Sequence, residues 1–335
     1  MDPLTDVRDI SRIAYGFIAS KALFAALELD LFSRLLEPKS IDALAREAGI
    51  PARRVKTLLA TLTALGLIVR DGDRFHNSPA SERYLTRGSP ASFGEYYRLQ
   101  VNRQLYPALE HLGAALAGDA SHLSVDQEGL LSDPVEAEIF SVAQHAASLG
   151  PAIRLATAID LQGSRTLLDV AGGSGAFAIT LCRHYPELAA TIIDFPNVIE
   201  VARRFVADAG LSERIDLTGG NALDTGWPGD QDVVLMSYLL SAVREDDIAT
   251  LLASAYRALR PGGLLIVHDF MLDDDEQGPA LAAQWFLLGL ALQPDAGSFS
   301  AATLSVLLAE QGFTGVSSQT LIPQITKIVV GGKPE

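Results

Sequence analysis

Two carboxylates and a glycine-rich bend carry the chemistry that can be read from this chain. The run Leu167-Leu168-Asp169-Val170-Ala171-Gly172-Gly173-Ser174-Gly175 is an apolar segment that ends in an acid and then a turn of small residues. A buried parallel strand feeding such a turn lets a ligand lie against bare backbone. A second apolar run, Ala190-Thr191-Ile192-Ile193-Asp194, also ends in an acid. That is where a Rossmann-type sheet offers a carboxylate to ribose hydroxyls, typically ~20 residues on. Two nucleotide-type ligands fit: a dinucleotide or S-adenosylmethionine. Asp169 favours the second, because an acid beside the turn attracts a cationic ammonium and repels a pyrophosphate. Gly173-x-Gly175-x-x-Ala178 also passes as a dinucleotide fingerprint, which keeps a nicotinamide oxidoreductase as the alternative. Against it stand Asp169 itself, the polar segment 219–224 where an adenine amino group could be read, and the helix stop and tight turn at 259–263.

These residues need a sheet to hold them. From Arg165 onward, strands are expected at 166–170, 190–194, 214–218, 232–237, 263–269, 315–320 and 325–331, with a helix over 176–184 after the glycine turn. Alternation of this kind predicts an α/β fold with a doubly wound parallel sheet. Before it, residues 9–36 carry apolar positions at helical spacing. Short helices near 40–45 and 55–65, then strands at 66–70 and 74–77, make the order of a winged helix-turn-helix. Residues 91–160 read as mostly helical with a looser patch near 118–133, giving three divisions: 1–90, 91–160 and 161–335.

Composition narrows the function classes. The 335 residues are 48% hydrophobic, ample for packed cores, and the net charge of −15 opposes nucleic acid as main partner. The winged helix does carry Arg53, Arg54 and Lys56, but the rest of that helix offers little to phosphates or base edges. Cys182 stands alone, so neither a disulfide framework nor a cysteine-rich metal site is expected. The acidic loop 273–276 lacks the spaced ligands of a calcium loop, and no metal site is expected. The acidic N-terminus lacks a signal-peptide pattern, and the apolar runs read as too short to span a membrane. The expectation is a cytoplasmic enzyme.

Taken together, these segments resemble a class I S-adenosylmethionine-dependent methyltransferase. More narrowly, they resemble the caffeate and acetylserotonin O-methyltransferase family, over nearly the whole chain. Residues 169–175 match its first motif, Asp194-Phe195-Pro196-Asn197-Val198 its acid-x-Pro segment, and Arg260-Pro261-Gly262-Gly263 its turn after a helix. The resemblance implies a Rossmann-like catalytic domain preceded by a helical winged-helix dimerisation domain, a homodimer, S-adenosyl-L-methionine as cofactor and a small-molecule methyl acceptor. Asp169 and Gly173 would hold the methionine part and Asp194 the ribose. Asn221, where the family has aspartate, would approach the adenine. The wider cofactor set takes in Gly172, Gly175, Phe195, Ala222, Ser237 and Tyr238. Ala171 replaces a glycine of the pattern.

The catalytic segment departs from the family. Its members carry a histidine after the fourth strand that deprotonates the acceptor hydroxyl, and here Ser241 takes that position. The two glutamates that orient the histidine fall at His268 and Ser298. A serine hydroxyl is no base near neutral pH. Three explanations stand: an acceptor that is already nucleophilic, His268 acting as base with Asp269 beside it, or a protein that binds the cofactor without using it. The first is favoured and suits transfer to sulfur. Bacterial enzymes that S-methylate methylthio-hydroxybutyrate, on the route to dimethylsulfoniopropionate, are similar in general build.

Acceptor contacts are expected from the polar-aromatic segment 93–106. Tyr96, Tyr97, Arg98, Asn102, Arg103 and Tyr106 present rings and donors at helical spacing. Arg98 or Arg103 could clamp a carboxylate bidentately. Gln144, His145 and Trp285 are the remaining candidates for the acceptor pocket.

Overall fold

The computed structural model describes residues 3–119 and 127–335, in two units parted between Gln104 and Leu105. In the N-terminal unit, α1 (Val7–Ala14) starts at Asp6, whose side chain accepts the Arg8 N–H at 2.8 Å. α2 (Gly16–Glu28) and α3 (Leu31–Arg34) follow, then β1 (Lys39–Ser40), α4 (Ile41–Ala48) and α5 (Ala52–Ala64). β2 (Ile68–Asp71), β3 (Arg74–Asn77) and α6 (Pro79–Leu85) complete the set. The three strands form an antiparallel sheet in the order β1-β3-β2, the expected wing. Phe32, Leu44, Leu59, Leu62 and Ile68 close the core beneath it.

Val7, Ile10, Ile13, Phe17 and Ile18 stay exposed along α1 and α2. By length and composition alone, Val7–Glu28 is apolar enough to cross a membrane, which corrects the reading that every apolar run is too short. The same composition suits a face buried against another protein surface. The segment Tyr96–Leu105, at the boundary of the units, is a π-helix.

The C-terminal unit begins with α7 (Tyr106–Ala108), α8 (Leu112–Leu116) and α9 (Gln127–Leu131). The long α10 (Pro134–Ala158) starts with Pro134 and is capped by Asp133, which accepts the Val135 N–H at 2.7 Å. Residues 91–160 are therefore no separate body: they are shared between the units, and α10 packs on helices of the catalytic sheet. Of the looser patch near 118–133, residues 120–126 lie outside the described residues.

Then come β4 (Thr166–Val170), α11 (Ala176–His184), β5 (Ala189–Asp194), α12 (Pro196–Asp208), β6 (Ile215–Gly219) and β7 (Gln231–Ser237). α13 (Glu245–Ala258), β8 (Leu259–Asp269), α14 (Ala280–Leu292), α15 (Ala301–Glu310), β9 (Thr314–Ile322) and β10 (Thr326–Gly332) close the chain. The seven strands lie in the order β6-β5-β4-β7-β8-β10-β9. β4 to β8 pair in parallel, while β10 runs antiparallel between β8 and β9. Every expected strand is present. The Arg260-Pro261-Gly262-Gly263 segment, expected as a turn, is drawn into β8 with a register shift against β7. The chain reverses its winding between β4 and β7, and a ligand crevice belongs at the carboxyl ends of those strands.

Candidate active site

The turn after β4 works only with small residues. Ala171, Gly173 and Gly175 have φ of 54°, 58° and 80°, in the left-handed region. A Cβ on Gly172 would lie 2.7 Å from Asp169 Cγ and 2.9 Å from Ile192 Cγ2. On Gly175 it would lie 2.8 Å from Ile192 Cδ1. The backbone thus bends tightly over the sheet and leaves its upper side to a ligand.

Asp169 is fully buried below this turn. Its Oδ2 accepts the Ala178 N–H at 3.2 Å, in the first turn of α11, while its Oδ1 has no hydrogen-bond partner among the described residues. Burial pushes its pKa up to about 7, against the pull of the Ala178 bond. A buried carboxylate oxygen with open valence is uncommon and calls for a donor. The ammonium of S-adenosylmethionine is such a donor, so the site fits the expected cofactor.

Asp194 is tied to the same turn. Its Oδ2 accepts the Gly173 N–H and its Oδ1 the Phe195 N–H, both at 2.7 Å, and burial raises its pKa to about 6. Each oxygen keeps capacity for a ribose hydroxyl. Asn221 is more committed: its Oδ1 accepts the Leu223 N–H at 3.0 Å and its Nδ2 donates to Glu128 at 2.7 Å. Asp169, Gly172, Gly173, Asp194, Phe195, Asn221, Ala222, Ser237 and Tyr238 line one cleft, and Gly175 lies beneath it. Phe140, Gln144 and Ser148 line its other side, one row of α10 at four-residue spacing. Of that row the sequence reading had only Gln144, although helical periodicity predicts the rest; Glu128 left no signal.

The three candidate catalytic side chains do not line the cleft. Ser241 is buried, donates its hydroxyl to Asp269 Oδ1 at 2.6 Å and its N–H to Asp269 Oδ2 at 3.0 Å. Trp285 Nε1 donates to the same hydroxyl at 3.3 Å. Asp269 is raised to about 6 by burial, with these bonds opposing, and is sealed from the cleft. His268 must be withdrawn as a base. It is fully buried, with Nδ1 2.8 Å from Ser237 Oγ and Nε2 2.9 Å from Thr326 Oγ1. Burial lowers its pKa to about 3, too weak to take an acceptor proton. Ser298, the other expected partner position, is exposed.

Two acceptor candidates are also reassigned. His145 does not line the cleft; its Nδ1 lies 2.9 Å from Ser174 Oγ. Trp285 stacks on Phe270 at 4.5 Å, behind Ser241. Within the N-terminal unit, Tyr96 and Tyr97 pack with ring centroids 5.6 Å apart, and burial raises both phenol pKa values. Asn102 accepts from Lys21 and donates to Glu28, each at 2.9 Å. Arg98 pairs through Nη2 with Glu95, and its buried Nε has no hydrogen-bond partner among the described residues, while Arg103 is exposed. Tyr106 opens the C-terminal unit and is half-buried.

Comparisons with known proteins agree with this geometry. The family model for the O-methyltransferase domain matches residues 129–314, and that for the O-methyltransferase dimerisation domain matches 11–87. The tetracenomycin polyketide synthesis 8-O-methyl transferase TcmO of Streptomyces glaucescens is 32% identical over the full length of both chains. Acetylserotonin O-methyltransferase of Bos taurus is 31% identical, with 92% of each chain covered. The crystal structure of human N-acetylserotonin methyltransferase in complex with S-adenosylmethionine superposes with a TM-score of 0.86 at 25% identity, covering all of both chains. These relatives are methyltransferases, and the nicotinamide alternative is set aside.

Proposed function

Because this chain belongs to the S-adenosylmethionine-dependent O-methyltransferase family, we propose that it methylates a small acceptor whose reacting atom needs no enzyme base. A thioether sulfur is favoured, carried by a small acid such as a methylthio-hydroxy acid. The observation that carries this reading is the bonding of Ser241, which turns the family's base position into a structural tie to Asp269. Among the described residues lining the cleft there is no imidazole, amine or thiol.

When bound, S-adenosylmethionine supplies a methyl group on a sulfonium, and attack by a thioether lone pair forms one C–S bond as another breaks, with no proton to move. Positioning and exclusion of water then do most of the catalysis. The family's acceptor atoms vary: relatives include the L-tyrosine C(3)-methyltransferase of Streptomyces lavendulae and the N,N-dimethyltransferase OxyT of Streptomyces rimosus. The dimerisation match and the apolar face of α1 and α2 support a homodimer.

The test is to incubate the protein with methyl-labelled cofactor and separate thioethers, thiols, phenols and carboxylic acids. Label on thioethers is expected. Label only on phenols, at a rate that does not track phenolate concentration, would require a base and overturn the reading.

A further inference from the structure

We propose that His145 is a positioning residue for the cofactor turn, holding Ser174 in place from α10. The turn carries left-handed backbone at Ala171, Gly173 and Gly175, which is strained at the alanine and needs outside support. From the β5 side, Asp194 accepts the Gly173 N–H at 2.7 Å. From α10, His145 Nδ1 lies 2.9 Å from the hydroxyl of Ser174, the neighbouring residue, which is only 2% exposed. The two anchors grip adjacent residues of one bend.

The imidazole is itself fixed. It stacks on Phe205 of α12 with ring centroids 3.9 Å apart and an interplanar angle of 13°. Burial, with the nearby Arg183 charge, lowers its pKa to about 4, so it is a neutral hydrogen-bonding group at working pH. A neutral ring in a rigid stack suits a steady partner for a hydroxyl better than a mobile acceptor contact. The inference rests on the turn being the cofactor seat and is independent of the acceptor's identity.

Four variants test it: His145→Phe keeps the stack on Phe205 and removes Nδ1, Ser174→Ala removes the hydroxyl, His145→Asn restores a polar group, and the fourth combines the first two. The readouts are calorimetric affinity for S-adenosylhomocysteine and amide hydrogen exchange of residues 172–176 in the cofactor-free protein. Loss of one buried hydrogen bond predicts about a tenfold weaker affinity and faster exchange in each of the first two variants. The combined variant should lose no more than either alone, since both remove the same bond. His145→Asn should recover to within about threefold of wild type, whereas His145→Phe and Ser174→Ala should raise the cofactor KM while kcat holds. Wild-type affinity and exchange in His145→Phe, or additive losses in the combined variant, would overturn the proposal. If His145→Phe fails to fold, Ser174→Ala carries the same expectation alone. Failure of the wild-type protein to bind S-adenosylhomocysteine would instead count against the cofactor site as a whole.

Discussion

Ser241 gives both of its donors to Asp269, the hydroxyl at 2.6 Å and the backbone N–H at 3.0 Å. With Trp285 Nε1 on the same hydroxyl, this serine is a joint between the end of β7, the end of β8 and α14. A histidine does not fit a joint built for two heavy side-chain atoms.

Ser241→His is therefore expected to overpack the cluster, at a cost of about 1–3 kcal/mol, and to lower the rate on the native acceptor. Thermal unfolding and turnover check both halves. A faster rate on a hydroxyl acceptor would mean that the position still serves catalysis and that the joint is incidental.

Cofactor affinity should depend on the proton held by Asp169. In the cofactor-free protein burial keeps this carboxyl protonated up to about pH 7, whereas a cationic ammonium requires the ionised form. Affinity is expected to be flat above pH 7 and to fall by up to about tenfold for each pH unit below it. Stability runs the other way. The raised pKa means the folded chain holds a proton that the unfolded chain releases near the ordinary value of 3.8, so this contribution is lost as pH rises from there toward 7. His145 and His268, both lowered by burial, oppose it in part of the same window, losing stability as pH falls below 6.5. Asp169→Asn isolates the carboxyl: it should weaken S-adenosylhomocysteine binding, flatten its pH slope below 7 and remove the Asp169 share of the Tm change. An unchanged slope in that variant would assign the proton elsewhere.

Gly172→Ala tests the close approach at the turn. The added methyl would meet the Asp169 carboxyl at 2.7 Å and Ile192 at 2.9 Å, both packed against the sheet. Because one of these is the carboxyl proposed to hold the cofactor's ammonium, affinity is expected to fall more than tenfold, with a Tm loss from overpacking. Titration with S-adenosylhomocysteine decides it; wild-type affinity would show that the carboxyl can move without consequence.

How much of this could be read beforehand follows from where the signals lie. β4 and β7 are buried on both faces, so Leu167, Leu168, Val233 and Val234 read as continuous apolar runs and their ends are easily found. The acids near the ends of β4 and β5, Asp169 and Asp194, and the glycine turn are local in sequence, so the cleft proposed for the cofactor was legible from them. The base question was not. Whether His268 faces a ligand depends on the register of β7 on β8, where Ser237 sits opposite His268, and on Thr326 arriving from β10. Likewise His145 and Ser174 are 29 residues apart, joined only because α10 packs on α11. The π-helical form of Tyr96–Leu105 has no compositional signature, so helical spacing mis-phased its side chains.

Ala171 and Gly173 together give the last prediction. Ala171 holds φ of 54° where the family has glycine, and a left-handed alanine costs about 1–2 kcal/mol. Ala171→Gly removes that strain but loosens the unfolded chain, which gives back about 0.4–1 kcal/mol. The strain is the larger quantity, so the variant should be more stable by roughly 0.5–1 kcal/mol, a rise of about 2 °C in Tm. Gly173→Ala is the mirror experiment. Its φ of 58° is nearly the same and a Cβ there would meet nothing within 4 Å, so conformation alone sets its cost. It should lower Tm by a similar amount. A loss of stability in Ala171→Gly would show that the alanine methyl makes contacts worth more than the backbone strain it imposes.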